Sequence, residues 1–95
     1  MHYVYVMASR PNGMLYIDIT SNLKKRVKDH KLSLIPGFTE EYNVKTLVLY
    51  EGFETYELAD QRATLYKQMS NRNWLISRIE ENNAFWNEDN LRKKI

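Results

Sequence analysis

The chain has 95 residues, 43% hydrophobic and 27% charged, with 14 basic residues against 12 acidic ones for a net charge of +2. That length fits one domain around a modest core, and the hydrophobic share excludes an intrinsically disordered chain. Without cysteine there is neither a disulfide framework nor a thiolate zinc site, and no apolar run reaches the roughly 20 residues that span a bilayer, so a cytoplasmic protein with no membrane partner is expected.

The first element is HYVYVMAS, rich in the Tyr and Val that suit a pleated sheet and closed by the turn signal Arg10-Pro11-Asn12-Gly13. MLYIDIT resumes the strand pattern, so the two runs predict an antiparallel hairpin. Period two puts Tyr3, Tyr5 and Met7 on one face of the first strand, and Tyr16 and Asp18 on one face of the second, with Leu15, Ile17 and Ile19 opposite. Sequence does not say which faces match across the hairpin.

Thr20, Ser21 and Asn22 are three N-cap types in succession and predict a helix from about Asn22 to Lys31, with Leu23, Val27 and Leu34 as its apolar stripe. Arg26 and His30, four apart, share a neighbouring stripe. The net charge names no partner, but residues 21–31 hold Lys24, Lys25, Arg26, Lys28 and Lys31 against the single acid Asp29. Such a face serves equally as a solvated helix surface or as a track for phosphates. Pro36-Gly37 opens a loop through Thr39 and Tyr42, and Val44 to Phe53 reads as a third strand. Glu54 to about Asn82 reads as two helices interrupted near Ser70 to Asn73, with Trp74, Phe85 and Trp86 as core anchors. One domain over 1–95 is expected, with 87–95 as a frayed C-terminal tail.

The order β-β-α-β-α-α resembles the GIY-YIG nuclease domain. Tyr3-Val4-Tyr5 stands at that family's first motif, Tyr16-Ile17-Asp18 at its second, and Thr20 to Val27 is similar to the helix that carries the family's arginine. The segments Gly37 to Phe53 and Ile79 to Trp86 extend the likeness, which is greatest to the small single-domain bacterial branch, over nearly the whole chain. The resemblance implies an α/β fold with a three-stranded antiparallel sheet flanked by helices. It also implies hydrolysis of phosphodiester bonds in nucleic acid, DNA ahead of RNA, assisted by Mg²⁺ or Mn²⁺. On it, Tyr5, Tyr16, Arg26 and His30 take the catalytic positions, with Tyr16 as the base and Arg26 on the phosphate, and Lys24, Lys25 and Lys28 are the nucleic-acid-binding candidates. The chemistry suits those types. A phenol acts as a base only where positive charge favours phenolate, and guanidinium donors match two phosphate oxygens.

Two positions depart from the family pattern. Asp18 replaces the glycine that closes the second motif, and Ala63, within QRATLYK, stands where the pattern has its metal-binding glutamate. An alanine offers a hard cation no donor. A carboxylate about 5 Å from a phosphate charge repels it by about 3 kcal/mol at an effective dielectric near 20. Both changes predict impaired activity, with Asp18 as a conceivable substitute ligand. The alternative is a non-catalytic module on the same fold that binds nucleic acid or a protein.

Overall fold

The N-terminal Tyr- and Val-rich run forms β1 (His2–Ala8), the middle strand of an antiparallel sheet in which β2 (Leu15–Thr20) and β3 (Thr46–Phe53) are the outer strands. The computed structural model describes residues 1–32, 37 and 41–92; Leu34, Pro36, Thr39 and the last three residues of the expected tail lie outside them. Between β1 and β2, Gly13 donates its N–H to the Arg10 carbonyl at 2.9 Å and Ser9 closes on Met14 at 3.1 Å. Pro11 pre-sets the first central position of this turn. Asn12 takes the left-handed second one at φ 56°, a conformation that asparagine tolerates.

Register settles what the alternation alone leaves open. Tyr5 pairs with Asp18 and Met7 with Tyr16 across one ladder, while Tyr5 faces Tyr50 across the other. Cross-strand partners share a face. Tyr3, Tyr5, Met7, Tyr16 and Asp18 therefore lie on one side of the sheet, and Val4, Val6, Ala8, Leu15, Ile17 and Ile19 on the other. A bulge between Val6 and Met7 shifts the β3 ladder, so Leu49 opposes Val6 and Leu47 opposes Met7. Val48 is the extra residue and packs, like Leu49, into the core on the Val4 and Val6 side.

Each face has its own helical layer. Helix α1 (Leu23–Lys31) covers the tyrosine face with Leu23 and Val27. The other face receives α2 (Tyr56–Lys67) and α3 (Arg72–Asn82), joined through a 3₁₀ turn at Met69–Asn71, with Ala59, Ala63, Tyr66, Leu75 and Ile79 buried against it. The caps follow from side-chain chemistry: Asn22 accepts from the Lys25 N–H at 3.2 Å, and Thr55 from the Leu58 N–H at 3.2 Å. No helix among the described residues is long and apolar enough to cross a membrane.

The C-terminal segment differs from expectation. Of the three aromatic anchors, only Trp86 is buried, its indole N–H donating to Glu80 at 3.0 Å. Phe85 is 87% exposed and Trp74, at the start of α3, is 40% exposed and packs on Tyr66 and Arg78. Within the tail expected to fray, α4 (Asp89–Arg92) places Leu91 in the tyrosine-side core. Glu88, also buried, accepts the Leu47 backbone N–H at 2.8 Å and pairs with Lys31 at 2.9 Å, which satisfies one donor on the outer edge of β3. Trp86→Ala should cost about 3 kcal/mol in urea unfolding, while Phe85→Ala should stay within about 0.5 kcal/mol of wild type.

Candidate active site

The residues singled out by motif meet where β1, β2 and α1 face each other. Tyr5 and His30 come from the middle strand and the third turn of α1, and the Tyr5 hydroxyl lies 3.0 Å from His30 Nε2. Both are sealed from solvent, at 0% and 2% exposure. The Tyr16 ring completes a three-ring cluster, 6.3 Å from Tyr5 and 5.3 Å from His30 between centroids. Tyr5 and His30 thus position the site from behind, and Tyr16, Asp18 and Arg26, all half-buried, form its solvent side.

Asp18 is wired into that surface. Its Oδ2 accepts the Tyr16 phenol at 2.8 Å, and its Oδ1 accepts the Ile19 backbone N–H at 2.8 Å. The first contact, together with burial, works against the expected role of Tyr16 as a base. Burial, then the hydrogen bond and negative charge of Asp18, push its pKa up to about 12, against the pull of Arg26. The phenol stays protonated at neutral pH and donates to its neighbour. Tyr5 is pushed up further still, chiefly by burial. His30 is moved the other way, below its ordinary value, by burial first and by the Arg26 charge second. The Arg26 backbone N–H donates to the Asn22 carbonyl at 3.1 Å, while its guanidinium makes no hydrogen bond among the described residues, so those donors are available to an anion.

Helical geometry splits the basic residues of α1. At about 100° per residue, Lys25, Arg26 and Asp29 lie on one flank and Lys24 and Lys28 on the other. Lys25 pairs with Asp29 at 2.8 Å, an exposed i,i+4 contact worth little. Lys24 and Lys28 point into solvent. Lys31, unlike them, is tied to the Lys45 carbonyl at 3.0 Å and to Glu88. Beside the first turn of the helix, Thr20, Asn22, Lys25, Arg26 and Asp29 line an open recess of about 170 Å³.

The metal that the resemblance implies does not fit these residues. Ala63, at 1% exposure, is part of the apolar core on the opposite side of the sheet from Tyr5 and Tyr16. Both oxygens of Asp18 already accept hydrogen bonds. No group of three or more His, Asp or Glu side chains with metal-binding geometry occurs among the described residues. A hard cation needs several converging oxygens, and Asp29, the carboxylate that lines the neighbouring recess, is paired with Lys25.

One polar cluster escaped sequence reading. On the far face, Glu51 accepts from Arg62 and Arg78, both at 2.9 Å, and from the Tyr66 hydroxyl, while Arg78 also donates to that hydroxyl at 2.9 Å. The arginines stack on Phe53 and Trp74. Arg62 and Tyr66 at helical spacing were a visible signal, but nothing in the sequence linked them to a strand glutamate or to Arg78.

Comparison with known proteins agrees with this architecture. The family described as GIY-YIG catalytic domain matches residues 1–76. A UPF0213 protein of Clostridium perfringens is 30% identical over 95 residues, covering 100% of this chain and 98% of that protein. No solved structure matches.

Because His30 is held below its unfolded value, near ~6.5, the unfolded chain binds the extra proton more readily. The resulting stabilisation is complete above about pH 6.5 and is lost as pH falls through the folded value. Thermal midpoints measured from pH 7.5 to 5 should fall for the wild type and flatten for His30→Gln.

Proposed function

The chain belongs to the GIY-YIG family, and from that premise we propose that it is a single nuclease-fold domain over residues 1–95 that binds nucleic acid while its metal-dependent hydrolysis is impaired. The observation that carries this reading is the hydrogen bond from the Tyr16 phenol to Asp18. A phenol that donates to a carboxylate and titrates at about 12 is a poor base for an attacking water at neutral pH. The buried apolar setting of Ala63 supports the same conclusion, since no carboxylate stands there to hold a cation.

Binding is a separate property and survives these changes. It rests on charge rather than on proton transfer: Lys24 and Lys28 on one exposed flank of α1, with Lys25 and Arg26 lining the recess on the other. Phosphate contacts of this kind read no sequence, so DNA and RNA are both accommodated. Their strength falls with salt as counterions are released. The negative charge of Asp18 sets a limit on how closely a phosphate approaches Tyr16.

Anisotropy titrations with labelled DNA at several salt concentrations test the binding half. Replacing Lys24, Lys25 and Lys28 by alanine should weaken binding at least ~10-fold at low salt and flatten the log–log salt slope by about 2 to 3. Nicking of supercoiled plasmid with Mg²⁺ or Mn²⁺ tests the other half and should stay at background. Robust metal-dependent nicking that vanishes in Tyr16→Phe would refute impairment, and unchanged binding by the lysine variant would move the interface elsewhere.

A further inference from the structure

The side chains that do not fit a metal fit a reaction that needs none. Phosphodiester cleavage proceeds without a cation when the nucleophile is built into the substrate, and in RNA the 2′-hydroxyl sits beside the scissile phosphate. What remains to be supplied is a base for that hydroxyl, a positive charge for the phosphate oxygens and an acid for the departing 5′-oxygen. Asp18, Arg26 and Tyr16 are these three types, and all three lie on the solvent side of the site. Resting on the reading of α1 as a nucleic-acid-binding face, we propose that this surface cleaves single-stranded RNA by metal-independent transesterification, with Asp18 as base, Tyr16 as acid and Arg26 on the phosphate.

The proton inventory closes on the pair itself. Asp18 takes the proton from the 2′-hydroxyl as the 2′-oxygen electron pair forms the new bond to phosphorus. The bond from phosphorus to the 5′-oxygen breaks, its pair stays on that oxygen, and the Tyr16 phenol protonates it. The proton on Asp18 then crosses the 2.8 Å hydrogen bond to the Tyr16 oxygen, which returns both side chains to their starting states. The products are a 2′,3′-cyclic phosphate and a free 5′-hydroxyl, and neither water nor a cation is consumed.

The details that weaken the hydrolytic site suit this one. A phenol at about 12 stays protonated until needed, yet is more acidic than an alcohol, whose pKa lies near water's ~15.7. The second carboxylate oxygen, held by the Ile19 N–H, keeps the group in one rotamer without filling its lone pairs. Thr20 lies two residues beyond Asp18 on the same strand face and lines the recess together with Arg26 and the Lys25–Asp29 pair, so the recess adjoins the strand face that carries Tyr16 and Asp18, and a phosphate held by Arg26 at its edge is directed toward them. A flexible single strand is required, because attack needs the 2′-oxygen in line with the leaving oxygen and a regular A-form duplex holds it out of line.

The test uses 5′-labelled single-stranded RNA in excess EDTA, alongside a DNA strand containing one ribonucleotide. Cleavage should leave 2′,3′-cyclic ends and should cut the mixed strand only 3′ of its single ribonucleotide. Asp18→Asn and Tyr16→Phe should each slow it by ~10²-fold or more while circular dichroism stays as in the wild type and both variants still bind 2′-O-methyl RNA, Asp18→Asn at least as tightly as the wild type because a repulsive charge is gone. RNA that is bound but not cut, or cutting that persists unchanged in both variants, overturns the transesterification while leaving the binding reading intact. Failure to bind 2′-O-methyl RNA overturns the binding reading and this inference with it.

Discussion

The whole arrangement depends on β1 being buried on both faces. From Val4 to Ala8 every residue of that strand is at most 1% exposed, although it alternates between small aliphatic side chains and the larger Tyr5 and Met7. A central strand must pair along both edges and pack on both sides. Period two then forces a division of labour. Odd positions send Tyr5 and Met7 toward α1, and even positions send Val4, Val6 and Ala8 toward α2 and α3. A slip of one residue would exchange the two sets, placing tyrosines in the apolar layer and valines against His30.

From this constraint the site inherits its geometry. Tyr5 is rigid because it is in the core, and it holds His30 through one hydrogen bond across 25 residues of sequence. His30 also belongs to α1, so the same contact sets the helix against the sheet and leaves Arg26, four residues earlier, at the rim. Asp18 is the cross-strand partner of Tyr5 and the near neighbour of Tyr16. Its carboxylate therefore falls among the tyrosines instead of in solvent, and the Tyr16 phenol is the donor within reach. An aspartate at the position of the family's glycine thus gives the Tyr16 phenol a carboxylate to donate to and makes its ionisation harder.

The opposite layer is held by different means. Glu51, the partner of Val4 across β1 and β3, draws Arg62 from α2 and Arg78 from α3 onto one carboxylate. The attached Tyr66 is buried and its phenol is raised above its usual range, first by burial and then by the bond to Glu51. The cluster is partly buried, so solvent screens its charges and its contribution is chiefly orientation of the two helices. It joins three successive elements, β3, α2 and α3, so the two-helix layer is fixed to the sheet by a directional contact as well as by apolar packing.

Several features were legible before any fold was drawn. The hairpin follows from Pro11 and Asn12 in the turn, α1 from its run of cap residues, and the site candidates from Tyr5, Tyr16, Arg26 and His30 at family spacing. The first two rest on neighbours in sequence, where local sterics and hydrogen bonding act, and the site candidates rest on the family resemblance. Burial of aromatics was less readable: Trp74, Phe85 and Trp86 are equally hydrophobic in composition, and only packing of the C-terminal segment chooses Trp86 for the core. The Glu51 cluster and the docking of Glu88 on Leu47 were invisible for the same reason, since each joins residues through space. The sequence by itself determined the elements, their order and the presence of Asp18 and Ala63. The tertiary structure alone decided that Asp18 binds the Tyr16 phenol and that Ala63 lies in the other layer, because cross-strand register and helix packing, not spacing along the chain, bring those groups together or keep them apart.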